Sequence, residues 1–268
     1  MNKLLILGAR SYLGSEFCKF LLKLNIDLIS VTEENHDGYT FNNLKKVFET
    51  EQPNIIVDFK FPKVSSNDDD YVNINKNELF LPQENLFNVL TNLDYEFKKI
   101  VLISSQQVDQ EKSIYAILKK QQEDIYKKNF KSDNKLNIFR LTTTYGPRDL
   151  SDSRLIPHFF REIITNKFIE LNITNKEFGE YIFIDDAMNY IWDICQNKSI
   201  DQQNIMKIRY KDLITTFMFI LNSKHNFSPK VIWNGQEIQG KNCIQNIDHF
   251  KNINNTVEWY LESLFNNK

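Results

Sequence analysis

The chain has 268 residues, 41% apolar and 25% charged, with 33 Lys and Arg against 35 Asp and Glu for a net charge of −2. These are globular values, enough for one or two domains around a sizeable core. Balanced, interspersed charge offers no basic face for nucleic acid. The longest apolar runs, such as Phe217 to Leu221, are far too short to span a bilayer. Cys18, Cys195 and Cys243 are odd in number and widely spread, a pattern expected of buried thiols in a reducing cytoplasm, with no metal site. A chain that opens directly on a core strand, with no leader pattern, is likewise expected in the cytoplasm.

Lys3-Leu4-Leu5-Ile6-Leu7 reads as a buried strand, Gly8-Ala9-Arg10-Ser11-Tyr12-Leu13-Gly14 as a turn, and SEFCKFLLKLN as the helix that follows. Strand, tight turn and helix form the setting of a dinucleotide fingerprint. Gly8 permits the turn, Gly14 lets the helix pack close to the strand, and the first helical amides face a pyrophosphate. Ser11 stands where the usual pattern has its middle glycine, which puts a side chain where phosphate approaches. An ordinary strand-to-helix turn is the rival explanation, but only 7 glycines occur in the chain and two fall at these positions.

The second strand, Asp27 to Thr32, ends in Thr32 where an acidic residue would hold a ribose 2′-OH; Glu33 comes one place late. Arg10 in the turn could meet a 2′-phosphate instead, so NADP(H) is the preferred cofactor and NAD(H) the alternative. A solvated Arg10 explains its presence nearly as well. Asn35 to Tyr39 reads as a turn, Phe41 to Gln52 as a helix, Asn54 to Phe59 as the third strand, and Val64 to Asn77 as a polar acidic loop whose adjacent aspartates are solvated rather than metal-binding.

Lys99 to Ile103 is the fourth strand, ending at Ser104-Ser105. The helix after it, IYAILKKQQEDIYKK, carries Tyr115 and Lys119. Spacing i, i+4 sets both on one helical face, where a strand-end serine could meet them. Phenol, ammonium and hydroxyl together make a proton-transfer device, since a nearby cation favours the phenolate. Asn137 to Leu141 is the fifth strand. The alternation through residue 150 predicts an α/β fold with a Rossmann-type, doubly wound parallel sheet. The fingerprint, Ser105 and Thr142-Thr143 all fall at the carboxyl ends of strands, where nucleotides bind. From Pro147 the pattern is less regular, and Asp149 to Ser153 reads as a substrate loop. His158 reads as a surface helix residue; His36, His225 and His249 lack ligand spacing. Asp185-Asp186 reads as a helix cap, and Phe159-Phe160 as core rather than an oligomer surface.

With both motifs placed, the chain resembles the extended short-chain dehydrogenase/reductase family of nucleotide-sugar epimerases, dehydratases and reductases. FRLTTTYGPRD (Phe139 to Asp149), RLIPHFFREI (Arg154 to Ile163), EYIFIDDAMNYI (Glu180 to Ile191) and TVEWYLESL (Thr256 to Leu264) follow the family's order. The resemblance implies a dinucleotide-binding domain over residues 1–150 and a smaller substrate-binding region over 151–268, with a strand and helix returning to the core. It assigns Ser105, Tyr115 and Lys119 to catalysis. Gly8, Arg10, Ser11, Tyr12, Leu13, Gly14, Phe59 and Thr142, with Tyr115 and Lys119, are assigned to the cofactor. Gln106, Thr143, Arg154 and Leu155 are assigned to a nucleotide-sugar substrate, and a homodimer is implied.

Four departures stand out. The Ser105–Tyr115 segment is short. Gln106-Gln107 replace the Asp-Glu pair of dehydratases, and amides cannot supply the acid and base for water elimination. Gly179 replaces an arginine. Phe59-Lys60-Phe61 stand where small residues usually line the nicotinamide. The expected activity is hydride transfer at a sugar carbon, preferably reduction of a 4-keto-6-deoxy sugar nucleotide; a 4-epimerase and a non-catalytic cofactor sensor are the alternatives.

Overall fold

The computed structural model describes residues 3–32, 38–62, 79–110, 113–130, 134–151, 154–173 and 178–265. Glu33, His36, most of the turn expected at Asn35 to Tyr39, the acidic loop Val64 to Asn77, and residues 152 and 153 of the expected substrate loop lie outside them. The described chain divides into two compact units. The first comprises residues 1–141 and 188–200, the second residues 142–187 and 201–268.

The first unit is a five-stranded sheet in the order β2-β1-β3-β4-β5. Its strands are β1 (Leu4–Leu7), β2 (Leu28–Val31), β3 (Ile55–Asp58), β4 (Lys99–Ser105) and β5 (Leu136–Leu141). Every pairing is parallel, as the alternating pattern predicts. Residues Leu4 to Leu7 are buried throughout, which is why β1 is a continuous apolar run: a parallel strand is covered on both faces. The helices are α1 (Tyr12–Lys23), α2 (Phe41–Glu51), α3 (Leu81–Asn92) and α4 (Ile114–Asn129). Leu44, Val47 and Phe48 of α2, Leu86 and Val89 of α3 and Tyr126 of α4 close one core over Leu5, Leu7, Ile56, Ile100 and Leu102. Each such large side chain contributes about 1.5–3 kcal/mol by leaving water.

Register sets the level of the site. Val31, Leu7, Asp58 and Leu102 align across four strands, and β4 runs three residues further, to Ser105, which pairs with Leu141. Gly8, Phe59 and Ser105 thus emerge at one carboxyl edge. The direction of strand succession reverses at β1 and β3, the switch point where such sheets open a ligand crevice.

The second unit holds two three-stranded sheets, β6-β8-β9 and β11-β10-β7. These comprise β6 (Thr143–Tyr145), β7 (Phe168–Leu171), β8 (Phe178–Phe183), β9 (Ile205–Arg209), β10 (Lys230–Trp233) and β11 (Gln236–Glu237). Its helices include α5 (Leu155–Asn166), α7 (Tyr210–His225) and α8 (Ile247–Phe265), while α6 (Ile184–Cys195) begins there and ends in the first unit. Phe159 and Phe160 are core residues, stacked with Phe217 and Tyr260. Asp185 and Asp186 sit in the first turn of α6, and the Asn204 amide donates to the Asp186 carboxylate. No described helix is long and apolar enough to cross a membrane.

Candidate active site

The phosphate turn is built by close backbone approach. Gly8 has φ +73°, and a Cβ there would lie 2.6 Å from the Lys60 nitrogen. A Cβ on Gly14 would collide with the Gly8 carbonyl oxygen and lie 2.9 Å from its carbon. Only glycine serves at either place, so α1 begins hard against the end of β1. Ser11 is the N-cap of α1, and its hydroxyl accepts from the Gly14 amide at 3.1 Å. The side chain expected to intrude on phosphate is therefore folded back onto its own helix. Tyr12 and Leu13 form the first helical residues, and Arg10 is exposed at the turn. A glycine cradle at a helix N-terminus fits a pyrophosphate. Sequence reasoning missed Tyr39: its buried hydroxyl accepts from the Gly8 amide at 2.9 Å and donates to the Val31 carbonyl at 3.0 Å. That bond bridges positions 31 residues apart, so no local pattern announces it.

The loop after β3 is strapped down by a buried polar network. Asp58, with 0% exposure, accepts from the Lys60 amide at 2.6 Å, from Gln83 Nε2 at 3.0 Å and from the Tyr126 hydroxyl at 2.5 Å. Burial pushes the Asp58 carboxyl up, against those hydrogen bonds and the Lys119 charge. Gln83 and Gln122 both donate to the Lys60 carbonyl, at 3.2 and 2.9 Å. The Gln122 oxygen in turn accepts from Lys119 Nζ at 3.2 Å. Asp58→Ala leaves the Tyr126 hydroxyl and the Lys60 amide buried without an acceptor, so an expected loss of about 3 kcal/mol should appear in urea unfolding.

Lys119 is 5% exposed, and its Nζ also donates to the Ile103 carbonyl at 2.9 Å. Burial pushes its ammonium down to about 8, while Asp58 and Glu123 pull the other way. The ring of Phe61 lies on the ammonium, 4.2 Å from Nζ to centroid, and stands edge-on to Tyr115 with centroids 5.2 Å apart. Tyr115 sits in the first turn of α4, whose N-cap Ser113 accepts from the Ala116 amide. The structure thus gathers Tyr115, Lys119 and Phe61. Phe61 carries a sequence signal, a bulky residue where small ones are usual, but contact with the pair was not anticipated. The ring of Phe59 packs on Phe17 of α1 at 5.6 Å, inside the core.

Alternation along β4 separates its two terminal serines, since successive strand residues face opposite sides. The Ser104 hydroxyl donates to the Glu123 carboxylate at 2.7 Å. That of Ser105 accepts from the Gln107 amide at 3.2 Å, and the strand continues into the 3-10 helix Gln106–Gln110. Glu123, one turn beyond Lys119, takes a two-pronged bond from Arg140, 2.8 Å on each oxygen. Burial alone would raise its carboxyl; the bonds from Arg140, Ser104 and Lys127 outweigh that and hold it down at about 2.

In the second unit the Thr142 hydroxyl donates to the Glu180 carbonyl at 2.9 Å, and Thr143 is exposed on β6. Arg154 is the N-cap residue of α5, which begins at Leu155. Its guanidinium pairs with the buried Asp149 carboxylate at 3.0 Å, and the Asp149 carbonyl accepts from the Tyr260 hydroxyl.

Solved structures share this fold. UDP-glucose 4-epimerase from the hyperthermophile Thermotoga maritima, determined with UDP-glucose, is 11% identical, with 98% of this chain and 99% of that chain covered at a TM-score of 0.71. dTDP-glucose 4,6-dehydratase from Bacillus anthracis, in complex with NAD, is 15% identical over 98% and 97% of the two chains at 0.71. UDP-glucuronic acid 4-epimerase from Bacillus cereus, also with NAD, is 16% identical over 99% and 98% at 0.67. No curated protein matches the sequence. The sequence itself matches the NAD dependent epimerase/dehydratase family across residues 4–208, from β1 through the second unit's β9, and the chain belongs to that family.

Proposed function

We propose that the protein transfers hydride between a nicotinamide dinucleotide and a carbon of a nucleotide-activated sugar, preferably in reduction of a 4-keto-6-deoxy sugar. The observation that carries this reading is that Tyr115 and a buried Lys119, one turn apart on α4, both meet the Phe61 ring, with Lys119 bonded to the Ile103 carbonyl near the end of β4, the strand that ends at Ser105. When bound, the dihydronicotinamide supplies the hydride. Tyr115 donates its hydroxyl proton to the carbonyl oxygen, so that the ketone gains hydride at carbon and a proton at oxygen. Lys119, charged below about pH 8, lowers the cost of the phenolate left behind. Ser105 hydrogen-bonds the oxygen as charge develops there. Gly8, Ser11, Tyr12, Leu13 and Gly14 would hold the pyrophosphate; Gln106, Thr143, Arg154 and Leu155 are assigned to the substrate.

Gln106 and Gln107 bring no acid or base for elimination, which argues against a dehydratase. Solved neighbours determined with NAD support NAD(H) as the cofactor class adopted, in place of the NADP(H) that Arg10 suggests. Reduction consumes one coenzyme per turnover and needs exchange. The Gly8 and Gly14 amides have acceptors within the protein, Tyr39 and Ser11, so two amides of the cradle are not committed to the dinucleotide, which suits exchange better than the permanent retention an epimerase requires.

The test is titration of the purified protein with NADH and NADPH, followed by challenge with a panel of nucleotide-linked 4-keto-6-deoxy sugars. Coenzyme oxidation on any of them is the expected result. Copurified NAD with sugar interconversion and no net oxidation would replace the reading with a 4-epimerase. Binding with no turnover on any sugar would replace it with a sensor.

A further inference from the structure

We propose that Phe61 competes with the dinucleotide for Lys119, so that one aromatic ring governs how readily the cofactor enters and leaves. The inference rests on the reading of Tyr115 and Lys119 as the cofactor-contacting pair. A lysine ammonium has three donors. Two are spent, on the Ile103 carbonyl at 2.9 Å and on Gln122 Oε1 at 3.2 Å. The remaining side is covered by the face of Phe61, 4.2 Å from Nζ to the ring centroid. The same ring contacts Tyr115 edge-on. A single side chain therefore lies against both members of the pair, and the ammonium can turn a donor to a ligand only after the ring gives way.

The arrangement separates what is fixed from what can move. The Lys60 peptide is anchored through its amide to Asp58 and through its carbonyl to Gln83 and Gln122. Gln122 also holds Lys119, so loop and lysine belong to one buried network. Phe61 itself is half-buried; its backbone follows the anchored Lys60 carbonyl, and its side chain meets Lys119 through the ring. Rotation about its side-chain bonds would uncover the ammonium without breaking the anchorage. The ring's attraction for the cation is the term a ligand must overcome, and it strengthens with a larger π-surface.

Calorimetric titration of the intact protein with NADH and with NAD tests this in wild type, Phe61→Ala and Phe61→Trp. Removing the ring is expected to tighten binding about tenfold, equivalent to about 1.4 kcal/mol. Tryptophan, the better partner for a cation, is expected to weaken it several-fold. Opposite signs are the readout, because a purely structural role would make cavity and overpacking alike harmful. Thermal midpoints verify folding; should the alanine variant not fold, Phe61→Leu replaces it, with about threefold tighter binding expected. Two variants that bind like wild type, or that both bind more weakly, overturn the proposal and leave the reading of function standing. No binding by wild type or any variant overturns both.

Discussion

Tyr115→Phe is expected to lower turnover on a nucleotide-linked 4-keto sugar by about 10³-fold, within the range general acid–base groups supply. Dinucleotide affinity is expected to stay within about twofold, because the variant keeps the ring that meets Phe61 and removes only the hydroxyl. Steady-state turnover alongside calorimetric NADH binding separates the two quantities, and retained turnover would sink the assignment of Tyr115 as acid. Lys119 adds a direction in pH. Burial pushes its ammonium down to about 8, so the cation is present below that value and lost above it. The wild-type kcat/KM should therefore fall as pH rises through about 8, and the profile should shift when the lysine is replaced by methionine.

Glu123→Ala is expected to cost about 3 kcal/mol of stability, read as a shift in the urea midpoint with an unchanged slope. The carboxylate is fully buried and accepts bonds from Arg140, Ser104 and Lys127; truncation strands the Ser104 hydroxyl and leaves the guanidinium with Asp109 as its carboxylate partner. The acid limb of stability should change with it. The Glu123 carboxyl titrates at about 2 in the folded protein against 4.5 unperturbed, so the unfolded chain binds this proton first. Its contribution is full above about 4.5 and disappears as pH falls towards 2. Wild type should lose stability across that window, and the variant should lose less. Equal slopes in both proteins would mean that the Arg140 pair contributes little.

The amino-acid sequence by itself determined the layout of the first unit. Five short apolar runs separated by helical patterns specify parallel strands, because each element's burial is written in side chains two to four residues apart. Gly8 and Gly14, and the i, i+4 pair of Tyr115 and Lys119, are local for the same reason, and they appear where the strands end. Even the division of Ser104 from Ser105 follows from strand alternation. Tertiary structure alone decided what those groups touch. Tyr39 reaches Gly8 across the sheet edge, Phe61 reaches Lys119, and Asp58 meets Tyr126 over 68 residues of sequence. No period encodes such contacts. They exist because register levels the ends of β1, β2 and β3, and because a buried carboxylate or ammonium must find partners wherever the fold supplies them.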